Sequence, residues 1–375
     1  MARILAVDDN EDNVFLLRMI LENHHHEVLT AYSGAEALAV AARTPPDLVL
    51  LDLMMPEMDG LEVARRLKER PETRHVPVIL LTAKKKEVSD VVHALDSGAD
   101  EYITKPFHET ELVARVKSML RMKALFDQIE QDRKLMEEDL KMAERVQANL
   151  LPSVFPYPGS IRFTTFYEAT ATVGGDFYDV LDFGGGKVGA LIADVSGHGA
   201  SAALIVAMIK TLLIAQADHQ PDPERIVQAL NTRLSLMTPE ERYCTMFMGV
   251  VDLEANQMTY VRAGHPPPFL LRAGGKPERL DAGGDLVGMF STISLDPRVV
   301  PFGPGDKLVA YSDGLFELAN PHGERYGLAR LERDIEAGAG MDAVGLLNHV
   351  VNKVKAFAGQ QPIEDDIAAL VAERL

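Results

Sequence analysis

The sequence predicts a multidomain protein: an α/β domain over residues 1–120, a helical linker over residues 121–151 and an α+β domain over residues 152–375. Strand-like and helical runs alternate through the first segment. No Gly or Pro interrupts the charged, periodic second segment, and strand-like runs often follow one another directly in the third. Alternation favours a parallel sheet covered by helices, whereas consecutive strands favour antiparallel pairing.

Composition limits the possible classes of protein. The chain has 375 residues, of which 47% are hydrophobic and 25% charged, so it is long enough for two ordinary globular domains. Its net charge of −18 argues against a nucleic-acid partner and against an anionic membrane surface. The single cysteine, Cys244, fits a reducing compartment. No signal peptide is visible, and the longest apolar run, 202–215, is too short to span a bilayer. We therefore expect a cytoplasmic protein.

In the first segment, polar side chains follow the ends of the predicted strands. These strands cover residues 4–7, 28–31, 48–53, 76–82 and 101–104, with helices near 14–23, 34–43, 61–70 and 88–97. In parallel sheets, chemistry collects at the carboxyl ends of the strands. The residues found there are Asp8, Asp9, Asp52, Thr82 and Lys105.

The motifs VDDN, LLDLMMPEMDG, LLTA and YITKPF resemble the receiver domain of two-component response regulators, which has a doubly wound, flavodoxin-like fold. The resemblance implies that Asp52 accepts a phosphoryl group from a sensor histidine kinase. It also implies that Asp8, Asp9 and Asp52 hold Mg²⁺, since phosphoryl transfer to a carboxylate needs a cation to neutralise charge.

The same resemblance assigns supporting roles to three further residues. Lys105 would pair with the phosphoryl oxygens and Thr82 would donate its hydroxyl. Tyr102 occupies the position of the family's aromatic switch, and the Lys105–Pro106 peptide bond is expected to be cis.

The linker carries an apolar stripe at spacings of three and four, which is typical of a coiled-coil helix. Arg133 and Gln147 interrupt the stripe at positions where it predicts apolar residues. A parallel homodimer is the favoured interpretation, and packing of the stripe on the protein's own domains is the alternative. Pro152 ends the helix. The stripe consists of Met122, Phe126, Ile129, Met136, Leu140, Ala143 and Leu150.

Four acidic clusters in the third segment each lie beside a strand-like run. They are GGDFYD (174–179), ADVSGHGA (193–200), YSDGLFE (311–317) and EDDIAALV (364–371). Taken singly, Asp-Gly pairs mark turns. Taken together, strand ends could join these carboxylates into a site for hard cations, which prefer oxygen ligands. The strand-like runs cover residues 162–167, 177–181, 188–193, 245–252, 257–263, 268–272, 307–311 and 367–371, with helices at 202–215, 223–237 and 341–358.

The motifs VGGDFYDV, ADVSGHGASAAL, AGHPPPFLL, YSDGLFE and EDDIAALV resemble, in this order, the SpoIIE/RsbU-type branch of the metal-dependent, protein phosphatase 2C-like serine/threonine phosphatases. The resemblance covers residues 151–375 and implies an antiparallel β-sandwich flanked by helices. It implies two Mn²⁺ or Mg²⁺ ions that hold phosphate and activate water. The implied ligands are Asp176, Asp194, the Val195 carbonyl, Asp313 and Asp365, with Asp366 as the alternative to Asp365.

Two histidines and three glycines also belong to these motifs. His198 is either a general acid or a structural residue of its turn, and His265 is expected to be structural. Gly174, Gly175 and Gly197 are expected to let the backbone approach the ions. The Gly-rich segment 282–299 is expected to form a mobile flap, and no counterpart of the phosphate-binding arginine of eukaryotic members is evident.

The resemblances together imply a response regulator in which phosphorylation of Asp52 controls a phosphatase acting on phosphoserine or phosphothreonine. In this branch the substrate is typically an anti-sigma-factor antagonist, and the helix before the phosphatase domain acts as a regulatory switch. The alternative is a non-catalytic adaptor that binds a regulatory partner. Such an adaptor would lack some of the metal-binding carboxylates. The sequence leaves open the kinase, the substrate protein, the preferred ion and the sign of the regulation.

Overall fold

The computed structural model describes residues 1–82, 98–170, 172–197, 199–216, 221–238, 242–273 and 275–375. The chain divides into an N-terminal unit, Met1–Met136, and a C-terminal unit, Glu137–Leu375. Among the helices within these ranges, none is long and apolar enough to cross a membrane.

A parallel five-stranded sheet forms the centre of the N-terminal unit, in the order β2-β1-β3-β4-β5. Helices cover both of its faces, which confirms the doubly wound α/β fold. The predicted helix at 88–97 lies outside the described residues. The strands are β1 Arg3–Val7, β2 Glu27–Ala31, β3 Leu48–Asp52, β4 Val78–Thr82 and β5 Glu101–Thr104, and the helices are α1 Glu11–Asn23, α2 Gly34–Arg43 and α3 Gly60–Glu69.

Strand β3 is buried along its whole length because the sheet is covered on both sides. Leu48 and Leu50 pack towards α1, whereas Val49 and Leu51 pack towards α2 and α3. The strand therefore carries Asp52, its last residue, to the carboxyl edge of the sheet from the middle of the core.

The linker forms one helix of 42 residues, α4 Glu109–Leu150, and this confirms the predicted unbroken helix. Its first turns pack Leu112 and Val116 against the parallel sheet. Further along, the Phe126 ring stacks on His75 at a centroid distance of 4.5 Å. Beyond this point Ile129 and Met136 are exposed, whereas the last three residues of the stripe are half-buried.

Two antiparallel five-stranded sheets form the C-terminal unit, in the orders β13-β10-β9-β8-β7 and β12-β11-β14-β15-β6. Their strands are β6 Ile161–Glu168, β7 Asp176–Asp182, β8 Lys187–Val195, β9 Cys244–Asp252, β10 Gln257–Ala263, β11 Phe269–Leu271, β12 Pro277–Arg279, β13 Arg298–Pro301, β14 Lys307–Tyr311 and β15 Ile367–Arg374. The helices are α5 Ala200–Gln216, α6 Pro223–Met237, α7 Gly314–Glu317, α8 Leu328–Ala337 and α9 Ala343–Ala358.

The sheets pack face to face and helices cover their outer faces, so the predicted sandwich is confirmed. Alternate residues of each strand point to opposite faces. On β7, Tyr178 and Val180 join the core between the sheets, whereas Phe177 and Leu181 join the core beneath α5 and α6. A third core lies between the second sheet and helices α8 and α9.

Candidate functional site

In the N-terminal unit, three of the predicted site residues lie in contact at the carboxyl edge of the parallel sheet. Lys105 Nζ lies 2.6 Å from Asp8 Oδ2 and also contacts Asp52 Oδ1. Asn13 donates from Nδ2 to both oxygens of Asp8, at 3.0 and 3.1 Å. Met54 N donates to Asp52 Oδ2 at 2.9 Å. The lysine therefore neutralises two carboxylates that the sheet has almost fully buried.

The remaining predicted residues of this unit occupy the same edge. Asp9 follows Asp8 and is exposed, while Thr82 is the last residue of β4. The Thr82 carbonyl accepts a hydrogen bond from Lys105 N at 2.6 Å, and the Lys105–Pro106 peptide bond is cis, as predicted. Tyr102 lies half-buried on β5 against the core below α3.

Burial raises the pKa of Asp52, and Lys105 only partly offsets this effect. Burial lowers the pKa of Lys105, but its hydrogen bonds and ion pairs with Asp52 and Asp8 outweigh burial and leave that pKa raised. A lysine held charged between two carboxylates is suited to bind an added phosphoryl group.

In the C-terminal unit, several acidic residues lie at one end of the sandwich. Side chains alternate between the two faces of a strand, and this alternation directs some of them into the space between the sheets. Asp176 and Asp194 are direct partners in the pairing of β7 with β8. Asp176 shares its face with Tyr178, and Asp194 shares its face with Ile192, so both point into the space between the sheets. Asp366 lies just before β15 and two residues before Ala368, whose side chain belongs to the core between the sheets. Asp366 therefore brings a third carboxylate to the same space.

Asp313 and Asp365 reach this end of the sandwich from loops. Asp313 is the residue before α7, and a Cβ on Gly314 would lie 2.0 Å from the Asp366 carbonyl and 3.3 Å from the Asp365 carbonyl. The two segments are therefore packed backbone against backbone. Burial raises the pKa of Asp194, and the charges of Asp313 and Asp365 raise it further, so both loop carboxylates lie close enough to act on Asp194.

Neighbouring residues distinguish Asp365 from Asp366. Asp366 is buried, and its Oδ1 accepts hydrogen bonds from Thr170 N at 2.8 Å and from Thr170 Oγ1 at 3.0 Å. Its Oδ2 accepts one from Gly175 N at 2.7 Å. Asp365 is exposed and borders an open cavity. Asp366 thus holds the turn before β7, whereas Asp365 is accessible from solvent.

The turn before β7 requires glycine because other groups lie against it. A Cβ on Gly174 would lie 2.4 Å from Asp366 Oδ2 and 2.6 Å from the Tyr167 hydroxyl. A Cβ on Gly175 would lie 2.6 Å from the Val195 carbonyl oxygen. The predicted glycines therefore bring this turn against the Val195 carbonyl, the backbone group expected to act as a ligand.

The carboxylates fit a site for divalent cations by their chemistry. Asp176 Oδ2 is buried without a hydrogen-bond partner in the described part of the chain. Burial and the neighbouring Asp194 raise the pKa of Asp176 well above its ordinary value. Burial and then Asp313 raise the pKa of Asp194 to about 7. Cations would relieve this repulsion. As they stand, however, no three Asp, Glu, His or Cys side chains of the described residues are close enough to enclose an ion.

Stability is expected to fall with rising pH when divalent ions are removed. The folded state holds protons on Asp176 and Asp194 more tightly than the unfolded chain, so stability is lost as the pH rises above about 4, and for Asp194 this loss extends to about pH 7. The free energy of unfolding of chelator-treated protein should be ~2–4 kcal/mol lower at pH 8 than at pH 5. Urea titrations at both pH values measure this difference. Equal stability, or greater stability at pH 8, would contradict the proposed repulsion.

Gln147 interrupts the apolar stripe in the sequence, and the structure gives it a specific contact. Gln147 is buried, donates from Nε2 to the Gly174 carbonyl at 2.7 Å and accepts from Gly174 N at 3.0 Å. Leu150, the next stripe position, packs on the core beneath α5. The end of the stripe thus packs on the protein's own domain, in agreement with the alternative interpretation.

Segment 282–299 is anchored rather than free, contrary to the expected flap. Val287 is fully buried and bridges to Cys244, with its N donating to the Cys244 carbonyl at 3.0 Å. Asn231 on α6 accepts from Gly288 N at 2.8 Å and donates to the Phe290 carbonyl at 2.9 Å. The segment also ends in strand β13, which pairs with β10.

Two further polar residues support the walls of this site. His265 is fully buried and its Nδ1 lies 2.8 Å from Thr245 Oγ1, in accordance with the expected structural role. Burial lowers its pKa to about 3, so the ring stays neutral. Arg242 donates to the Ser196 carbonyl and, at 3.1 Å, to Ser201 Oγ. His198 lies outside the described residues.

Comparison with known proteins places each unit in a family. Residues 184–375 match the family model "Stage II sporulation protein E (SpoIIE)", and residues 4–117 match the model "Response regulator receiver domain". Over 130 residues the chain is 50% identical to the response regulator PleD of Caulobacter vibrioides. That match spans 35% of this chain and 28% of PleD, so the chain covers about a quarter of its length.

Solved structures show the same fold for the C-terminal unit. The SiaA-PP2C domain of Pseudomonas aeruginosa matches 65% of this chain and 98% of its own, with 21% identity and a TM-score of 0.57. The RsbU and RsbW domains of a Mycobacterium tuberculosis protein match 60% of this chain and 61% of their own, with 24% identity and a TM-score of 0.51. The chain therefore belongs to the SpoIIE family, as a response-regulator receiver domain fused to a SpoIIE-type phosphatase domain.

Proposed function

We propose that this protein is a response regulator whose phosphorylation on Asp52 controls metal-dependent hydrolysis of phosphoserine or phosphothreonine on a partner protein. The single observation that carries the catalytic part is the buried Asp176 carboxylate, which faces Asp194 and has an unpartnered oxygen among the described residues. A carboxylate buried beside others of its own charge is costly unless a cation compensates for it.

Divalent ions, Mn²⁺ or Mg²⁺, would be held by Asp176, Asp194, Asp313, Asp365 and the Val195 carbonyl. When bound, they supply positive charge for the phosphate and lower the pKa of water. Asp366 holds the turn that carries Asp176, because its oxygens accept hydrogen bonds from Thr170 and Gly175. This assignment favours Asp365 over Asp366 as the ligand.

In the receiver, Asp52 would accept the phosphoryl group from a sensor histidine kinase. Mg²⁺ held by Asp8, Asp9 and Asp52 would supply positive charge there. Lys105 already contacts Asp8 and Asp52 and would bind the phosphoryl oxygens, while Thr82 and Tyr102 would respond to phosphorylation. The contact between Lys105 and Asp52 supports this assignment.

The catalytic proposal is tested with the whole chain, manganese and a phosphoserine protein or an aryl phosphate. We expect hydrolysis that requires manganese and that Asp313→Asn removes. An anti-sigma-factor antagonist carrying phosphoserine is the proposed physiological substrate. Manganese-independent hydrolysis, or none, would contradict the proposal. Binding of an unmodified partner without hydrolysis would favour the adaptor.

Control by the receiver is proposed to act through α4, which begins in the receiver and ends at the phosphatase site. The exposed middle of the stripe, including Ile129 and Met136, is the proposed homodimer contact. In its final turns, Gln147 contacts Gly174. Gly174 lies one residue before Gly175 and two residues before Asp176. Movement of this helix would therefore move the turn that carries a catalytic carboxylate.

Replacing Gln147 by alanine is expected to weaken both the fold and the response to metal. The N–H and C=O groups of Gly174 would lose their partners inside the protein, which costs about 1–3 kcal/mol. We expect a lower free energy of unfolding and about fivefold less hydrolysis at limiting manganese, since about 1 kcal/mol corresponds to this factor. Gln131→Ala, an exposed position on the same helix, is the matched control. A variant indistinguishable from this control would show that the contact is dispensable.

A further inference from the structure

A cavity of about 470 Å³ opens beside the proposed catalytic carboxylates of the C-terminal unit. Residues 318–325 form one wall, residues 361–365 form the other, and α7 forms the floor. We name this space the hairpin groove. It includes Asp365 and Gly314, the residue that follows Asp313, so it borders the carboxylate site.

The first wall of the hairpin groove is a well-defined hairpin. Ala319 bridges to Arg325, and Tyr326 N donates to the Leu318 carbonyl at 2.9 Å. At the tip, Asn320 Oδ1 accepts hydrogen bonds from His322 N and Glu324 N, at 2.9 and 3.0 Å. The groove therefore has a structured wall, and it is a preformed feature of the surface.

The charged groups that line the groove leave one carboxylate uncompensated. Arg325 Nη1 lies 2.7 Å from Glu317 Oε2, so these two charges pair with each other. Asp365 belongs to the proposed metal ligands. Glu364, on the opposite wall, is exposed, and no ion pair joins it to another described residue.

We propose that the hairpin groove binds the polypeptide segment beside the phosphorylated residue and selects a lysine or arginine there through Glu364. This inference rests on the proposed phosphatase function and adds a substrate preference to it. The groove has the volume of a typical small-ligand site, which starts at about 300 Å³, so it has room for a neighbouring side chain as well as a phosphoryl group.

The charge of the whole chain favours the same substrate chemistry. A phosphorylated residue is an anion, and it approaches a protein whose net charge is −18. Repulsion of like charge slows such an encounter, whereas a basic residue beside the phosphate reduces it. Glu364 would then fix where the basic side chain binds.

The test uses the full chain with manganese and three phosphoserine peptides of equal length. Their flanking residues are lysine, alanine or glutamate. We expect kcat/KM to fall in that order by about threefold at each step, as for a solvent-exposed ion pair. The preference should shrink as salt is added, because exposed charges are screened.

Two variants distinguish the effect of a contact with Glu364 from the effect of the protein's net charge. Glu364→Lys is expected to reverse the lysine-to-glutamate ratio, whereas Glu336→Lys, an exposed position on α8, changes the net charge equally and should preserve the preference. Because each ratio compares two peptides on one enzyme, a change in metal occupancy cancels.

The outcomes also separate this inference from the proposed function. If the wild-type protein hydrolyses neither peptides nor an aryl phosphate with manganese, the phosphatase proposal fails. If it hydrolyses the aryl phosphate but shows no preference for lysine, or hydrolyses no peptide, only the hairpin groove proposal is overturned. Equal lysine-to-glutamate ratios for Glu364→Lys and Glu336→Lys would likewise overturn the hairpin groove proposal alone.

Discussion

The Asp176→Asn variant is expected to lose phosphatase activity while its metal-free form becomes more stable. Asp176 is buried, faces Asp194 and has one oxygen without a partner among the described residues. Asparagine removes the charge with little change in shape, so it abolishes repulsion together with cation binding. We expect hydrolysis to fall at least about a hundredfold, because a metal ion contributes several kcal/mol to such reactions. In chelator, the free energy of unfolding should rise by about 1–3 kcal/mol.

A substitution that lowers phosphatase activity but raises the stability of the metal-free protein identifies a functional carboxylate. Substitution of a structural carboxylate would lower the stability. Manganese should raise the melting temperature of the wild-type protein by mass action and have much less effect on Asp176→Asn. Asp182→Asn is the matched control, since Asp182 lies at the other end of β7 and is exposed. If Asp176→Asn destabilises the metal-free protein, the carboxylate supports the fold and the metal assignment of Asp176 is wrong.

The main elements of the fold were predictable because their patterns are governed by burial. The apolar run at 48–53 predicts a buried strand of a parallel sheet, and the structure buries every residue of the observed strand, Leu48–Asp52. Strand β13, Arg298–Pro301, was missed because it is largely exposed and pairs only at the edge beside β10. Helix α8 was missed although Leu328, Leu331 and Ile335 have helical spacing, a signal that the sequence does contain.

The carboxylates of the candidate site could be predicted because they lie at the ends of strand-like runs. The contacts that side chains make with backbone groups of the site could not be predicted as well. Asp176 and Asp194 each border a predicted strand, whereas their direct pairing depends on the register of β7 with β8. The contact of Gln147 with Gly174 could not be predicted, since a backbone partner depends on how distant segments pack. A polar residue at a core position of the stripe was nevertheless a usable signal. The hairpin groove also needed the structure, because its walls are 36 or more residues apart in sequence.

The Asp59→Asn variant is the matched control for the Asp52→Asn variant of the receiver. Asp59 caps α3 by accepting a hydrogen bond from Glu62 N at 2.9 Å and takes no part in the Lys105 cluster. Asparagine is an equally good capping residue, so this change should leave the receiver intact. Both variants are treated with a small phosphoryl donor and magnesium, then assayed for incorporated phosphate and for phosphatase rate.

The Asp52→Asn variant is expected to incorporate no phosphoryl group and to lose the response of the phosphatase to the donor. Asparagine can still accept the hydrogen bond from Met54 N, but its side chain lacks the nucleophilic carboxylate. In the wild-type protein and in Asp59→Asn, the donor should change the phosphatase rate several-fold, with the sign given by the experiment. If it changes the rate of Asp52→Asn equally, Asp52 is not the control point. If it changes no rate although Asp52 is phosphorylated, coupling through α4 is wrong, and the receiver must act on something other than the attached phosphatase.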